Sequence, residues 1–276
     1  MRKKKKSLFR RIHEHEMVQR IETVLLPVLF GMVLVILWQT QVLHAILHTD
    51  TFTLPLPGRI LTIMSENSDK ILENTKATVI VAVVGLVAGS LIGYGIAILA
   101  ALFTRWGAGG LSIVAAFNAI PIVALAPVMT NWTKDISNDA NIRSMVAKIL
   151  VVMIVCIANM SINAFRGMTE LKVYAEDLML SYAAPKRIVL CKLRIPNSIP
   201  YVFTALKVAV PASVIGALVS EYFAEYVIGV GRQIRENIVL AQYSSAWAYI
   251  VTACLIGIVM YGILMMAQSI LLKKSN

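Results

Sequence analysis

Six long apolar segments dominate this chain of 276 residues and constrain its fold more than any other feature. A helix needs about 20 apolar residues to cross the hydrocarbon core of a bilayer, because each residue advances it by only about 1.5 Å. The chain is 58% hydrophobic and 15% charged, with a mean hydropathy of +0.74, which is unlike soluble globular proteins. We therefore predict an all-α polytopic membrane protein with six transmembrane helices, at residues 24–43, 77–103, 111–129, 145–164, 201–219 and 247–272.

The Lys and Arg residues are distributed unevenly between the loops that join these segments. With six helices both termini lie on one side, and that side holds 17 of the 26 Lys and Arg residues, while the opposite loops hold eight. Loops rich in Lys and Arg stay in the cytoplasm. We therefore expect a multi-pass protein of the cell (plasma or inner) membrane with both termini cytoplasmic. Residues 1–23 form a basic cytoplasmic segment in this interpretation, and residues 24–276 form the transmembrane domain.

Sequence motifs for catalysis, metal binding and nucleotide hydrolysis are missing. The chain has no G-x-x-x-x-G-K-[ST] segment, so we do not expect it to hydrolyse ATP by the P-loop route. Its three cysteines are widely spaced and its four histidines form no ligand set with nearby carboxylates, so we predict no metal site and no cofactor. The net charge of +11 lies mainly in segments that flank the membrane, which argues against nucleic acid as a partner.

One basic segment, residues 165–200, interrupts the apolar pattern between the fourth and fifth predicted helices. Its six Lys and Arg residues place it in water, and about 35 residues are enough to fold into short helices. The run that begins at Asp177 reads DLMLSYAAPKR. Ile195, Pro196 and Pro200 follow, and then a run containing Ala and Gly that ends at Glu221.

This run resembles the EAA loop, the coupling loop of ABC importer permeases. The similarity is greatest to the nitrate, taurine and aliphatic-sulfonate group, in which a similar pattern precedes two prolines and a helix ending in Glu. The segment FTLPLPGRI at residues 52–60 is also similar to a leucine-proline-x-proline element of that group. The Ser-Tyr-x-Ala form of the loop is more similar to permeases for thiamine-pyrimidine precursors and riboflavin.

The resemblance implies a type I ABC importer permease with a cytoplasmic coupling helix. Such a subunit forms the path for a small polar solute that an extracytoplasmic binding protein delivers. The expected partners are an ABC ATPase subunit that holds ATP and Mg²⁺, the binding protein, a second permease copy in a homodimer, and membrane lipid. The residues that the resemblance assigns to ATPase coupling are Asp177, Ser181, Tyr182, Ala183, Ala184, Pro185, Lys186 and Arg187.

Two residues of this loop depart from the pattern of the group. Ala183 stands where the group most often has glycine, and Pro185 stands where it often has serine. Glycine permits a left-handed turn between two short helices, which alanine resists by about 1 kcal/mol. Pro185 remains compatible with the start of a following helix, because the first turn of a helix needs no N–H from that position.

Polar residues and prolines within the apolar segments are candidates for the translocation path. Prolines in the third segment remove helix hydrogen bonds, and the freed carbonyls are tolerated where they are buried or line a water-filled path. Asn159 stands where the group usually has proline, and direct solute contact and helix packing both remain open for it. Glu221 is either a buried functional acid or, as we slightly favour, an interfacial residue that faces water. The candidates are Asn118, Pro121, Asn159, Ser213 and Glu221.

Three glycines in the second segment, Gly85, Gly89 and Gly93, recur every four residues. Such a stripe lets another helix approach closely. We favour packing within the subunit, with a contact between subunits as the alternative.

Two other classes of function remain open beside the importer permease. An integral-membrane enzyme needs a cluster of acids or histidines at an interface, and an ion-driven secondary transporter usually carries charges in mid-span. Neither feature is evident in the sequence. The identity of the solute stays open, although the lack of basic residues in mid-span mildly disfavours a small bare anion.

Overall fold

The computed structural model describes residues 16–223 and 228–273, and every regular element within these ranges is a helix. The predicted basic segment 1–23 lies mostly outside the described residues. The chain divides into two compact units, the first ending at Glu66 and the second beginning at Asn67.

The first unit contains helices α1 (Glu16–Gln39), α2 (Val42–Leu47) and α3 (Pro57–Glu66). A left-handed residue, Gln41 with φ 62°, turns the chain between α1 and α2. The amide oxygen of Gln39 accepts a hydrogen bond of 3.0 Å from the backbone N–H of Gly58, which fixes the start of α3 against α1. Proline at the first position of α3 suits a helix start, because that N–H has no partner within the helix.

The second unit contains nine further helices and two short irregular helical segments within its described residues. Its helices are α4 (Ser68–Leu102), α5 (Thr104–Ala116), α6 (Ile122–Trp132), α7 (Ala140–Thr169), α8 (Ala175–Ser181), α9 (Lys186–Val189), α10 (Ile195–Phe223), α11 (Val230–Val239) and α12 (Tyr243–Lys273). A 3-10 turn at Phe117–Ala119 follows α5, and a π-helical segment at Leu190–Arg194 joins α9 to α10.

Four helical segments are long and apolar enough to cross a membrane within the described ranges: Ser68–Leu102, Ala140–Thr169, Lys186–Phe223 and Tyr243–Leu271. A fifth crossing is formed if the bent pair Trp106–Ala119 and Ile122–Trp132 counts as one span. The apolar part of α1, Leu25–Gln39, is shorter than these. The structure therefore supports four or five crossings by length and composition, and the predicted number of six is not confirmed.

The third predicted span is broken and not merely kinked. Its two halves meet at an angle of 96°. Pro121 stands in an extended conformation just before α6, whereas Pro127 lies inside α6 without ending it. Because a proline just before a helix start costs no helix hydrogen bond, the chain can bend at Pro121 between α5 and α6.

The core of the second unit is a bundle of α4, α7 and α10. The glycine stripe of α4 packs directly on α7: a Cβ atom at Gly85, Gly89 or Gly93 would lie 2.5–2.6 Å from atoms of α7. Such distances leave no room for a side chain at these positions, so the two helices approach closely over just more than two helical turns. This contact confirms the interpretation that the stripe serves packing within the subunit.

Candidate functional site

The predicted coupling loop contains a short helix of its own, α8, followed by a tight turn. Ala183 adopts the left-handed conformation, with φ 49°, and its N–H donates to the carbonyl of Leu180 over 2.8 Å. The turn expected from the glycine of related loops is therefore present although the residue is alanine. Pro185 follows in an extended conformation and precedes α9, as its position in the sequence suggests.

α8 presents two different faces. Leu178 lies on one face of α8, with Tyr174 just before the helix and Tyr182 just after it, and these side chains are 59%, 77% and 79% exposed. Glu176 and Leu180 lie on the other face, and with Ala184 they line a groove between α8 and the helix bundle. The first face is thus an apolar, aromatic stripe that these described residues leave uncovered.

Arg194 connects α8 to the bundle. Its guanidinium donates to the backbone carbonyl of Ala101, near the end of α4, over 2.7 Å. The same group donates to the carboxylate of Glu176 on α8, also over 2.7 Å. Only 14% of the Arg194 side chain is exposed, so this link is more strongly held than an ordinary surface ion pair.

A second set of contacts joins the end of α7 to the start of α10. Glu170 accepts hydrogen bonds from Arg166 over 2.6 Å and from Tyr201 over 3.1 Å, and the bond from Arg166 lowers the pKa of the Glu170 carboxyl. The amide of Asn197 donates to the carbonyls of Gly167 and Glu170. The helices on both sides of α8 are therefore fastened to each other close to it.

The other residues assigned to coupling lie on exposed surface around α8 and the turn. Asp177, Lys186 and Arg187 are exposed, and the Ser181 hydroxyl donates to the carbonyl of Leu178 over 2.8 Å. The charges of Asp177 and Arg187 lie on open surface, where a partner can reach them, whereas Lys186 stands at the edge of the groove. Tyr174 and Leu178 were not assigned to the site from sequence, although their spacing with Tyr182 was a signal for it.

The candidates for the translocation path do not converge on one point. Asn118 and Pro121 are exposed at the break between α5 and α6. Asn159 is half-buried, and its amide donates to the carbonyl of Val155 on its own helix over 3.1 Å. The Ser213 hydroxyl is fully buried and donates to the carbonyl of Val210 over 2.7 Å.

Glu221, the fifth candidate, lies at the other end of the bundle and is only 1% exposed. The expectation that it faces water is therefore wrong. Its carboxylate interacts electrostatically with Lys148, which lies eleven residues before Asn159 on α7. Eleven residues of helix separate the two levels by about 16 Å.

Glu221 is the centre of a buried polar cluster. One carboxylate oxygen accepts from the Thr78 hydroxyl over 2.9 Å and from the Gly231 N–H over 3.0 Å. Thr78 in turn accepts from the Val230 N–H over 2.9 Å. We call these residues, together with Asn74, Lys148 and the backbone of residues 228–231, the Glu221 cluster. It joins α4, α7, α10 and the start of α11.

Asn74 and Lys148 complete this cluster. The Asn74 side chain accepts from the Gly229 N–H over 2.8 Å, and the Lys148 ammonium group, 3% exposed, donates to the carbonyl of Ile228 over 3.5 Å. The ammonium group also interacts electrostatically with the Glu221 carboxylate. Buried charges are tolerated when such partners compensate them.

Gly229 is required by the geometry of the cluster. Its φ of 155° is one that residues with a side chain rarely adopt, and a Cβ atom there would collide with the Glu221 carboxylate. The same cluster joins residues as distant in sequence as Thr78 and Glu221. Within the described residues, no group of three or more His, Cys, Asp or Glu side chains is placed to hold a metal ion.

Comparison with known proteins gives two relatives of similar length. The chain is 25% identical to the formylaminopyrimidine transport permease protein ThiX of Halalkalibacterium halodurans over 247 residues, 89% of this chain and 94% of that protein. It is 24% identical to a probable ABC transporter permease protein of Haemophilus influenzae over 197 residues, 71% of this chain and 76% of that protein.

A family model describes most of the second unit. It is that of the binding-protein-dependent transport system inner membrane component, and it matches residues 89–274. This match begins within α4, whose residues 89–102 it includes, and it includes all of α5 to α12. With more than half of its length matched and with the helical bundle described above, the chain belongs to the binding-protein-dependent transport inner membrane component family and is the permease subunit of an ABC importer.

Proposed function

We propose that α8 is the coupling helix of this permease and that its Tyr174–Leu178–Tyr182 stripe docks on the ATPase subunit. The family implies an ATPase and a binding protein as partners, and hydrolysis of ATP with Mg²⁺ then takes place on the ATPase. The exposed stripe is the observation that carries the proposal. Aromatic and large aliphatic side chains are the residues on which protein interfaces usually depend for affinity.

The contacts of Arg194 explain how a movement of α8 reaches the membrane helices. Because Arg194 joins α8 to both α4 and the start of α10, a displacement of α8 carries these helices with it. Closure of the ATPase dimer then shifts the permease between two states of the bundle, one opening inward and the other outward.

The same proposal places α8 and both termini in the cytoplasm. In a variant without Cys156, Cys191 and Cys254, a cysteine at Asp135 should react with an impermeant thiol reagent added to intact cells, and one at Lys172 should not. Both positions are exposed on the protein, so only the membrane separates their reactivities. Permeabilised cells, in which both positions should react, provide the control. Labelling of Lys172→Cys from outside would reverse the orientation and remove α8 from the ATPase.

The permease is further proposed to act as a homodimer surrounded by lipid. α12 supports this, because its apolar segment is mostly exposed; Ile258 is 68% exposed and Ile270 is 71% exposed. Apolar surface of this extent is stable only against lipid tails or another apolar protein surface.

The solute is proposed to be a neutral pyrimidine of the kind named in the relative from Halalkalibacterium halodurans. Such a heterocycle presents hydrogen-bond donors and acceptors that match amide side chains and backbone carbonyls. Three of the path candidates, Asn118, Pro121 and Asn159, are exposed or half-buried and remain available for contact. Ser213 and Glu221 are enclosed in the bundle and join the path only in another conformation.

Uptake into vesicles that contain the complete transporter tests this assignment. Labelled formylaminopyrimidine should accumulate with ATP, and Asn159→Leu should reduce its apparent affinity about fivefold, the effect of one lost hydrogen bond of about 1 kcal/mol. ATP hydrolysis by the variant should match the wild type. Taurine and nitrate serve as control solutes, and uptake of either without competition from formylaminopyrimidine would contradict the assignment.

A further inference from the structure

A groove of about 230 Å³ lies behind α8, on the face opposite the Tyr174–Leu178–Tyr182 stripe. Its walls come from the end of α4, from α8, and from α9 with the π-helical segment. The apolar part includes Leu102, Leu180 and Leu190, and the charged part consists of Glu176, Lys186 and Arg194. π-helical segments of this kind are frequent at functional sites.

The charges in the groove leave an excess of positive charge and of hydrogen-bond donors. Glu176 already accepts from one nitrogen of Arg194. The Nε atom of Arg194 is shielded from solvent and has no acceptor among the described residues. Lys186 is exposed at the edge of the groove. An oxyanion that enters the groove therefore meets the flexible ammonium group of Lys186 beside the guanidinium group of Arg194.

The depth of the groove matches that of lipid headgroups. Arg194 donates to the carbonyl of Ala101, which lies near the end of the long apolar helix α4. The end of such a helix lies at the boundary between hydrocarbon and headgroups. Leu102 and Leu180 stand beside the charges and are 36% and 63% exposed, which offers apolar surface where an acyl chain begins.

We propose that this groove binds the phosphate group of an anionic phospholipid, with Lys186 and Arg194 facing the phosphate and Leu102 and Leu180 facing the acyl chain. Basic pockets between helices at a membrane surface are suited to such headgroups. The proposal goes beyond the coupling function and depends on membrane insertion, not on which side faces the cytoplasm. Because α8 forms one wall, a bound lipid holds α8 against the bundle and makes coupling sensitive to membrane composition.

The test compares two variants that remove the same charge. Lys186→Gln alters the groove, and Lys192→Gln removes an exposed lysine of the π-helical segment that does not line it. The purified complex with its ATPase is titrated in detergent with fluorescent phosphatidylglycerol, and phosphatidylcholine is the neutral comparison. We expect Lys186→Gln to weaken phosphatidylglycerol binding at least about fivefold relative to Lys192→Gln, the effect of one basic contact.

Each remaining outcome decides a separate point. Equal losses in the two variants would show that only the general positive field attracts the lipid, and this would overturn the proposal. Binding of the lipid to the permease stripped of its ATPase but not to the complete complex would assign the groove to the protein interface and would also overturn it. Competition by glycerol 1-phosphate at the concentrations at which the lipid binds would support the phosphate site and identify free phosphate esters as a second source of ligand. If glycerol 1-phosphate does not compete, the site is assigned to membrane lipid.

Discussion

Replacement of Glu221 by alanine is expected to lower the free energy of unfolding by about 3 kcal/mol, because each of two buried donors that lose their acceptor costs about 1–3 kcal/mol. The change leaves the ammonium group of Lys148 buried without a compensating charge. It also removes the acceptor of the Thr78 hydroxyl and of the Gly231 N–H. Thermal unfolding of the detergent-solubilised protein should show a transition lowered by about 6 °C or more.

Two further variants separate charge from shape in the Glu221 cluster. Glu221→Gln keeps the size of the side chain and an acceptor oxygen but removes the charge, so it should cost less than alanine. Addition of Lys148→Met to Glu221→Ala should recover part of the loss, because it removes the buried ammonium group that the carboxylate compensated. If Glu221→Ala unfolds at the temperature of the wild type, the cluster contributes nothing measurable to stability.

Leu178→Glu is expected to abolish stable association with the ATPase and to reduce transport more than tenfold. A large side chain at the centre of an interface typically contributes about 2 kcal/mol or more, and a charge buried there adds a desolvation penalty. Co-purification of the ATPase with the tagged permease, followed by uptake in vesicles, measures both effects.

Leu180→Glu provides the matched control for this variant. Leu180 is 63% exposed against 59% for Leu178, and both belong to α8, but Leu180 points to the groove and not to the stripe. Measured in detergent without added phospholipid, the control should therefore retain the ATPase. Equal loss of ATPase in both variants would mean that any charge on α8 is damaging, and normal association of Leu178→Glu would remove the stripe from the interface.

Much of the helical architecture can be predicted from the sequence, because a long apolar segment is enough to identify a membrane helix. The apolar segments at 77–103, 145–164, 201–219 and 247–272 correspond to α4, α7, α10 and α12, although each helix continues beyond its apolar part. Hydropathy detects only the portion that requires lipid, whereas hydrogen bonding carries a helix on into the polar region.

The Glu221 cluster could not be predicted from the sequence, for a physical reason. The hydrogen bond between Thr78 and Glu221 joins residues 143 positions apart, and no local pattern encodes a contact of that range. A lone acid at the end of an apolar run is compatible with water and with burial alike, so only the packing of four helices decides between them. The left-handed turn at Ala183 is the opposite case, because the resemblance to the permease loop indicates its position although alanine disfavours the conformation.

The three-helix bundle is fastened at both ends and in the middle. Arg194, Asn197 and Glu170 tie it near α8, the glycine stripe joins α4 to α7 along its length, and Glu221 closes the far end. α10 is 29 residues long, about 43 Å, and runs from the contacts beside α8 to the Glu221 cluster. In the proposed mechanism α10 therefore carries a displacement beside α8 to the Glu221 cluster at its other end.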